Sequence, residues 1–177
     1  LVLNTQPLAS SAAGSTSPVG PYPIVASGGL DNNYEIVYVQ GTLTITKANV
    51  TAIAVDASRV YGSLNPLFTI NYTGFVNGEN SSVLDTAPTA STAATSTSAA
   101  GTYPITVSGG SDINYTFSYT PGTLTITKAT VTATASDASR VYGVANPTFS
   151  IAYSGFVLGE NSSVLNVLPV ANSPATL

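Results

Sequence analysis

The chain has 177 residues, of which 7% are charged, and its formal net charge at pH 7 is −4. Lysine and arginine together number four, too few to form the basic surface that nucleic-acid binding needs. Histidine and cysteine are absent, which removes the commonest general base, the thiol nucleophile and the soft metal ligands. We therefore expect no enzyme, no catalytic, cofactor-binding or metal-binding residue, and no cofactor. No apolar run approaches the roughly 18 residues of a membrane span.

An internal repeat organises the sequence. The stretch Gly41–Gly62 returns as Gly122–Gly143, 81 residues later, and this offset holds along the chain without insertion. We predict that residues 1–48 are the C-terminal part of one repeat module, residues 49–129 a complete 81-residue module, and residues 130–177 the N-terminal part of the next. The chain opens inside a repeat and without an initiator methionine, so we expect a window of a longer polypeptide.

The first elements of each copy are predicted as strands of modest length. Residues 1–21 and 87–102 are rich in Ser, Ala and Thr, which indicates an irregular or edge strand. Tyr22-Pro23-Ile24 and Tyr103-Pro104-Ile105 open the next strand, where each proline should lie at a strand start or on a sheet edge. Turns rich in Gly, Asp and Asn follow.

Alternating apolar residues then predict a β-hairpin. Tyr34, Ile36 and Tyr38 alternate with other residues before the turn at Gln40-Gly41, and the second arm points Leu43 and Ile45 inward. After Lys47-Ala48 the next strand, Val50–Val55, begins almost at once. A joint near Ala48 and Ala129 without Gly or Pro predicts a stiff connection between modules.

The remaining segments complete the predicted fold. Phe68, Ile70 and Tyr72 form an alternating strand, and Gly78–Leu84 then breaks the alternation. Its Asn and Ser residues favour one capped helical turn, with Val83 and Leu84 docked on the sheet. We predict a mainly β fold of tandem small modules, β-grasp-like with one short helix; the alternative is an immunoglobulin-like β-sandwich.

Several short motifs recur in both copies. They are Arg59-Val60-Tyr61-Gly62, Asn65-Pro66, Gly74-Phe75-Val76-Asn77-Gly78-Glu79, Ser82-Val83-Leu84, Gly101–Ile105, Asn114-Tyr115 and Gly122–Ala129. Together they resemble the MBG repeat family, YGX type, which occurs in tandem arrays in large bacterial surface proteins and adhesins. The resemblance covers essentially the whole chain. It implies an extracellular, non-enzymatic repeat of a long stalk or fibre, and it carries over no ligand-binding residue.

Two clusters of polar residues have a chemical alternative. A Lys–Asn isopeptide staple assisted by an acid is conceivable in each repeat, although such a lysine more often guards a strand edge. The residues are Lys47 or Lys128, Arg59 or Arg140, Asp56 or Asp137, and Glu79 or Glu160. Asp31, Asn33 and Glu35, with Asp112 and Asn114 in the second copy, offer oxygen ligands. Calcium needs six to eight oxygens, so we predict Asx turns instead.

Other surface features are compatible with several roles. Thr42, Thr44 and Thr46 line one strand face, as do Thr123, Thr125 and Thr127, which predicts an ordinary exposed face in place of a broad ice-binding array. Five Asn-x-Ser/Thr sequons begin at Asn49, Asn71, Asn80, Asn114 and Asn161, and residues 91–98 form a tract suited to O-glycans. Ten tyrosines are expected mostly in the core, with sugar stacking as the alternative.

These observations predict a structural stalk or fibre segment of a large, adhesin-like bacterial cell-surface or secreted protein. Its partners are neighbouring modules or copies of itself, and glycans or host ligands are bound through other parts of the full protein. The alternative is a subunit of a self-assembling extracellular filament or sheath, in which residues 130–177 of one chain complete a module with residues 1–48 of the next. A carbohydrate-binding module is a third and weaker candidate.

Overall fold

The computed structural model describes residues 3–175, so the predicted module ends at Leu1, Val2, Thr176 and Leu177 lie outside the described residues. Within this range the chain forms twelve β-strands and two 3-10 turns of three residues each. The prediction of a mainly β fold made of several small sheets is therefore confirmed. None of the helices formed by residues 3–175 is long and apolar enough to cross a membrane.

The strands are short, between three and eight residues. In chain order they are β1 (Leu8–Ser10), β2 (Gly20–Ser27), β3 (Gly41–Ile45), β4 (Ala48–Ala54), β5 (Ala57–Val60), β6 (Ile70–Thr73), β7 (Thr89–Ser91), β8 (Gly101–Ser108), β9 (Tyr115–Thr120), β10 (Gly122–Thr127), β11 (Thr132–Ala135) and β12 (Ile151–Ser154).

The first of two compact units reaches Val55 and also includes Phe68–Ser91 and Thr106–Gly122. It contains the antiparallel sheet β1-β2-β3 and the sheet β6-β4-β9, in which β4 is antiparallel to β6 and parallel to β9. β4 alternates as its apolar pattern requires, and Val50 and Ala52 are fully buried.

The second compact unit is made of Asp56–Leu67, Thr92–Ile105 and the chain from Thr123 onward. In it, β10 is parallel to β5, and β11 pairs with β12 in an antiparallel ladder. Leu124 and Ile126 of β10 are buried, which confirms that this arm turns its apolar residues inward. β10 belongs to a four-stranded sheet of order β5-β10-β8-β7.

Edge strands and prolines follow the sequence prediction with one refinement. β1 and β7 are three-residue strands at the edges of their sheets, as predicted. Pro23 and Pro104 lie inside β2 and β8, away from the strand starts. β1 pairs only with residues 25–27 and β7 only with residues 106–108, so on that side each proline faces no paired strand. The missing N–H therefore costs no ladder bond.

The hairpin prediction is wrong. β9 and β10 belong to different sheets, where β9 is parallel to β4 and β10 is parallel to β5. Only Pro121 separates them, which is shorter than the usual two-residue hairpin loop and cannot donate a backbone hydrogen bond. In the first copy, residues 34–40 form no strand. Strict alternation therefore identified a pleated segment without identifying its partner.

The predicted helical turn is present as a 3-10 turn in both copies. Ser81–Val83 is capped by Asn80, whose side chain accepts a hydrogen bond from the Ser82 N–H at 2.9 Å. Asn161 caps the second turn, Ser162–Val164, in the same way. Val83, expected to dock on the sheet, is 42% exposed, and Leu84 is half-buried. The bounds of the predicted modules at residues 48/49 and 129/130 stay predictions.

Candidate functional site

The connections between copies are the candidate functional site, because the predicted mechanical role depends on them. At the first joint, defined here as Thr46 and Lys47, only these two residues separate β3 from β4. At the second joint, residues 128–131, four residues separate β10 from β11. The Ala48 N–H directly after the first joint donates to the main-chain oxygen of Asn114 at 2.9 Å. The start of β4 is thus held as well as short.

Three side-chain hydrogen bonds cross the first joint within the first compact unit. Lys47 Nζ donates to the main-chain oxygen of Asp112 at 2.7 Å. The Val19 N–H donates to Asn114 Oδ1 at 3.0 Å. Asn77 Nδ2 donates to the main-chain oxygen of Ser15 at 3.2 Å. Each bond links a residue before the joint to a residue after it, so the joint is braced from both of its sides.

The turn that receives two of these bonds is built by Asp112. This carboxylate is 7% exposed and accepts the N–H groups of Asn114 at 2.7 Å and Tyr115 at 3.0 Å. In the first copy, Asp31 Oδ1 accepts the Asn33 N–H at 2.8 Å. The Asx-turn prediction is therefore confirmed for both turns. Residues 3–175 contain no group of three or more His, Cys, Asp or Glu side chains that could hold a metal ion.

Lys47 acts as a non-covalent brace in this geometry. Its ammonium group bonds to a main-chain carbonyl, while the nearby Asn114 side chain accepts from the Val19 N–H. The geometry around Lys47 therefore gives the isopeptide hypothesis no support. Asp56, named in the same hypothesis, accepts the Thr123 N–H at 2.7 Å in the second compact unit.

The second joint brings together two residues that the sequence did not pair. Tyr61 Oη donates to Glu160 Oε1 at 2.6 Å. This hydrogen bond to the carboxylate is the main cause that raises the pKa of the Tyr61 hydroxyl. Gly62 follows with φ +86°, and a Cβ there would lie 2.6 Å from Val157 Cγ2. The Tyr-Gly end of one copy therefore lies directly on the turn Phe156–Glu160 of the next.

Glu79, the counterpart of Glu160, has a tyrosine partner within its own copy. Tyr115 Oη donates to Glu79 Oε2 and accepts the Val76 N–H at 3.2 Å. Tyr115 is 2% exposed, and burial is the first cause that raises its pKa, followed by the bond to Glu79. Its ring meets Phe75 edge-on, with centroids 5.2 Å apart. Both copies therefore use this glutamate as a tyrosine acceptor.

A buried arginine shapes the loop that carries Tyr61. Arg59 is 8% exposed, its Nε donates to Asn65 Oδ1 at 2.7 Å, and its Nη2 donates to the main-chain oxygen of Thr95. Asn65 Nδ2 in turn donates to the main-chain oxygen of Ala94 at 2.6 Å. Arg140 and Asn146 repeat the first of these bonds at 2.7 Å. The recurring Arg and Asn thus form one hydrogen-bonded unit.

The tyrosines differ from the expectation that most lie in the core. Tyr115 is buried, whereas Tyr34, Tyr38, Tyr119 and Tyr142 are exposed by 41 to 99%. Many use the hydroxyl to fasten a turn: Tyr22 donates to Pro18 O, Tyr38 to Gly28 O, Tyr103 to Ala99 O and Tyr119 to Gly109 O. A half-buried ring with a hydrogen-bonded tip explains the alternating positions better than full burial does.

Other candidate residues have plain structural surroundings. Thr123, Thr125 and Thr127 are exposed along β10, as predicted for an ordinary strand face. Among the sequon asparagines, Asn80 and Asn161 cap 3-10 turns and Asn49 accepts from Ser118 Oγ at 3.0 Å. Glycosylation stays a prediction.

Sequence reasoning missed the pairing of Tyr61 with Glu160. It named Glu160 only as an acid that could assist a staple, and it used the Tyr-Gly dipeptide only as a turn signal. The available signal was that both motifs recur at the same 81-residue offset, Tyr61-Gly62 with Tyr142-Gly143 and Glu79 with Glu160.

The fold and its joints define a class: a repetitive, mainly β protein whose copies are connected by short, hydrogen-bonded joints. A family model described as MBG domain (YGX type) matches residues 2–44, 49–125 and 130–176. The chain belongs to this family, and the predicted resemblance is confirmed. Membership indicates a repeat module of a surface or secreted protein. No curated protein and no solved structure matches the chain.

Proposed function

We propose that the chain is a stiff spacer segment of an extracellular, adhesin-like bacterial surface protein, in which the joints hold successive MBG repeats in a fixed orientation. The observation that carries this proposal is the first joint. Two residues connect β3 to β4, and the Ala48 N–H together with Lys47, Asn77 and Asn114 brace that connection. In this role the chain is not an enzyme and needs no cofactor.

The magnitudes favour an ordered joint over a hinge. Two connecting residues span at most about 7 Å, so the strands on either side cannot separate far. Each hydrogen bond contributes a net of roughly 1 kcal/mol, and four of them exceed the thermal energy several-fold. The partners of such a segment are the neighbouring repeats, while glycans or other surface ligands are bound by other parts of the full protein.

Spin-label distance measurement tests the proposal. The chain has no cysteine, so Thr42→Cys on β3 and Thr73→Cys on β6 give two specific labelling sites, both exposed. We expect one narrow distance distribution between the two labels. The control carries a Gly-Ser insertion between Lys47 and Ala48 and should give a broad distribution with unchanged circular dichroism. A distribution in the parent chain as broad as in the insertion variant would overturn the proposal.

A second candidate function is a subunit of a self-assembling extracellular filament or sheath. One observation favours it: apolar strand residues that are buried within residues 49–129 have exposed counterparts in the two partial copies. Leu124 is fully buried, whereas its counterpart Leu43 is 39% exposed. Ala52 is fully buried, whereas its counterpart Ala133 is exposed.

A further inference from the structure

We propose that two copies of this chain join head to tail in a defined strand register, with residues 130–175 of one molecule completing a repeat together with residues 3–48 of the next. A tyrosine–glutamate hydrogen bond between Tyr142 and Glu79 locks each junction. This inference rests on the filament candidate and gives it a register; it does not depend on the stiffness of the joints.

The first of two strand pairings follows from β4. In the complete copy, β4 lies between β6 and β9, and it is parallel to β9 in a register that sets Val50 opposite Phe117 and Thr51 opposite Ser118. The counterpart of β4 is β11, whose one strand neighbour within the described part of the chain is β12. β11 thus has a free edge where β4 has a parallel partner.

The segment that fits this edge is in the first copy. Residues 34–39 correspond to β9, but they form no strand and expose Val37 by 82% and Val39 by 85%. Applying the 81-residue offset to the β4–β9 register sets Val131 of one molecule opposite Ile36 of another, and Thr132 opposite Val37. One parallel ladder would satisfy the backbone groups of both segments and cover their apolar side chains.

A second pairing links the same two segments of chain. In the complete copy, β10 is parallel to β5, with Leu124 opposite Ala57. β3, the counterpart of β10, pairs with β2 within residues 3–175, and residues 138–141, the counterpart of β5, form no strand. The same offset sets Leu43 opposite Ala138. Both ladders require the same two partial copies, so one association forms both.

The tyrosine lock follows from the second joint. Tyr61 is docked on Glu160, and Gly62 lies against Val157. Their counterparts Tyr142 and Gly143 are uncovered: Tyr142 is 99% exposed, and a Cβ at Gly143 would meet nothing within 4 Å.

The matching acceptor is the turn that precedes the first 3-10 turn. Val76, the counterpart of Val157, is 47% exposed, and Glu79 is exposed too, although it already accepts from Tyr115. A carboxylate has lone pairs for a second donor. When residues 130–175 of one molecule complete the first copy of the next, Tyr142 takes the position toward Glu79 that Tyr61 takes toward Glu160.

Sedimentation of the 177-residue chain over a wide concentration range is the first test. We expect association that increases with concentration and continues beyond dimers, because each molecule has one half-copy at either end. A monomer at every concentration would overturn both this inference and the filament candidate. That result would leave the spacer proposal standing, because the spin-label experiment reads only distances within one molecule.

Disulfide formation between two variants tests the register. A Val37→Cys variant mixed with a Thr132→Cys variant should form the mixed disulfide several-fold faster than Val39→Cys mixed with Thr132→Cys, since Val39 lies two residues out of register. Equal rates for the two mixtures, in chains that do associate, would overturn the register while leaving the filament candidate.

Tyrosine substitutions test the lock. Tyr142→Phe removes one hydroxyl from a fully exposed side chain, so the monomer should fold unchanged. We expect it to weaken association about tenfold, the usual effect of losing one hydrogen bond to a charged acceptor. The matched control, Tyr61→Phe, removes the same hydroxyl from a residue already docked within its own molecule and should leave association unchanged. Equal association constants for Tyr142→Phe and the parent chain would overturn the lock.

Discussion

Arg59 is a charged side chain that the fold takes out of water, and its surroundings explain why the sequence repeats an arginine and an asparagine together. Asn65 accepts from Arg59 Nε and donates onward to Ala94 O, so one amide satisfies a buried donor and a buried acceptor. In the third copy, Asn146 bonds to Arg140 and to Ala175 O, but these bonds are exposed to solvent. The same two residues therefore carry different energetic weight in the two copies.

Asn65→Ala tests this difference in weight. It leaves the Arg59 Nε donor and the Ala94 carbonyl without their partner at a partly buried site, and we expect a loss of about 1–3 kcal/mol in the free energy of unfolding. Asn146→Ala, the matched change at an exposed site, should cost less than about 0.5 kcal/mol, because water replaces the amide. Urea unfolding of both variants measures the two values. Equal losses would contradict the role assigned to burial.

The Tyr61–Glu160 bond makes a pH-dependent contribution to the second joint. The bond raises the pKa of Tyr61 above its ordinary value near 10, so the folded state favours the protonated phenol. The stabilisation is therefore fully present below about pH 10 and is lost as pH rises through the raised pKa. In a titration of tyrosine absorbance, Glu160→Gln should move one ionisation to lower pH, and Tyr61→Phe should remove it. An unchanged titration in Glu160→Gln would contradict the assignment.

At the scale of elements, the turn after β6 shows how closely the strands of a copy approach. Gly74 has φ +98°, and a Cβ there would lie 2.5 Å from the main-chain oxygen of Asn49. Gly155 repeats this approach to Thr130 O at the same distance. The glycine is therefore required twice over, by backbone angle and by the closeness of the β4 backbone.

Gly74→Ala should destabilise the fold by more than about 2 kcal/mol, because the backbone of β4 or of the turn must move. Gly78→Ala is the matched control: its φ is +74°, but a Cβ there meets nothing within 4 Å. That variant should lose only the cost of the backbone angle, about 1 kcal/mol. Thermal unfolding followed by circular dichroism compares the two. A Gly74→Ala variant no less stable than Gly78→Ala would contradict the close approach.

The sequence predicted elements better than their pairing. Two-residue alternation identified β8 and β10 with their inward faces, and Asn80 and Asn161 identified the short turns, because these signals are local. The partners of β9 and β10 are about 65 residues away in the chain, and alternation contains no information about which edge a strand joins. The hairpin prediction failed for that reason.

The joints were predicted in position but not in chemistry. The lack of Gly and Pro around Lys47-Ala48 was enough to predict a short connection. The contacts with Asp112 and Asn114 were not predictable, because they depend on a turn that an Asx carboxylate shapes far along the chain. Tyr61 and Glu160 lie 99 residues apart, and only their common repeat offset hinted that they meet.

For the whole molecule, the account states that the joints are part of the folded structure, as in repeat proteins whose stability combines each repeat with its neighbour interfaces. A flexible tether would open freely at the joint while β4 stayed closed. In the structure, the amides next to the first joint have partners from the following copy, with Ala48 bonded to Asn114 O and Val19 bonded to Asn114 Oδ1.

Amide hydrogen exchange of the intact chain, followed by NMR, tests this statement most directly. We predict that the Ala48 N–H is protected to within about tenfold of the Ala52 N–H in the middle of β4, and that Asn114→Ala sharply lowers the protection of the Val19 N–H. If Ala48 and Val19 exchange at the rate of an unstructured peptide while Ala52 stays protected, the joint is a flexible tether and the account is wrong.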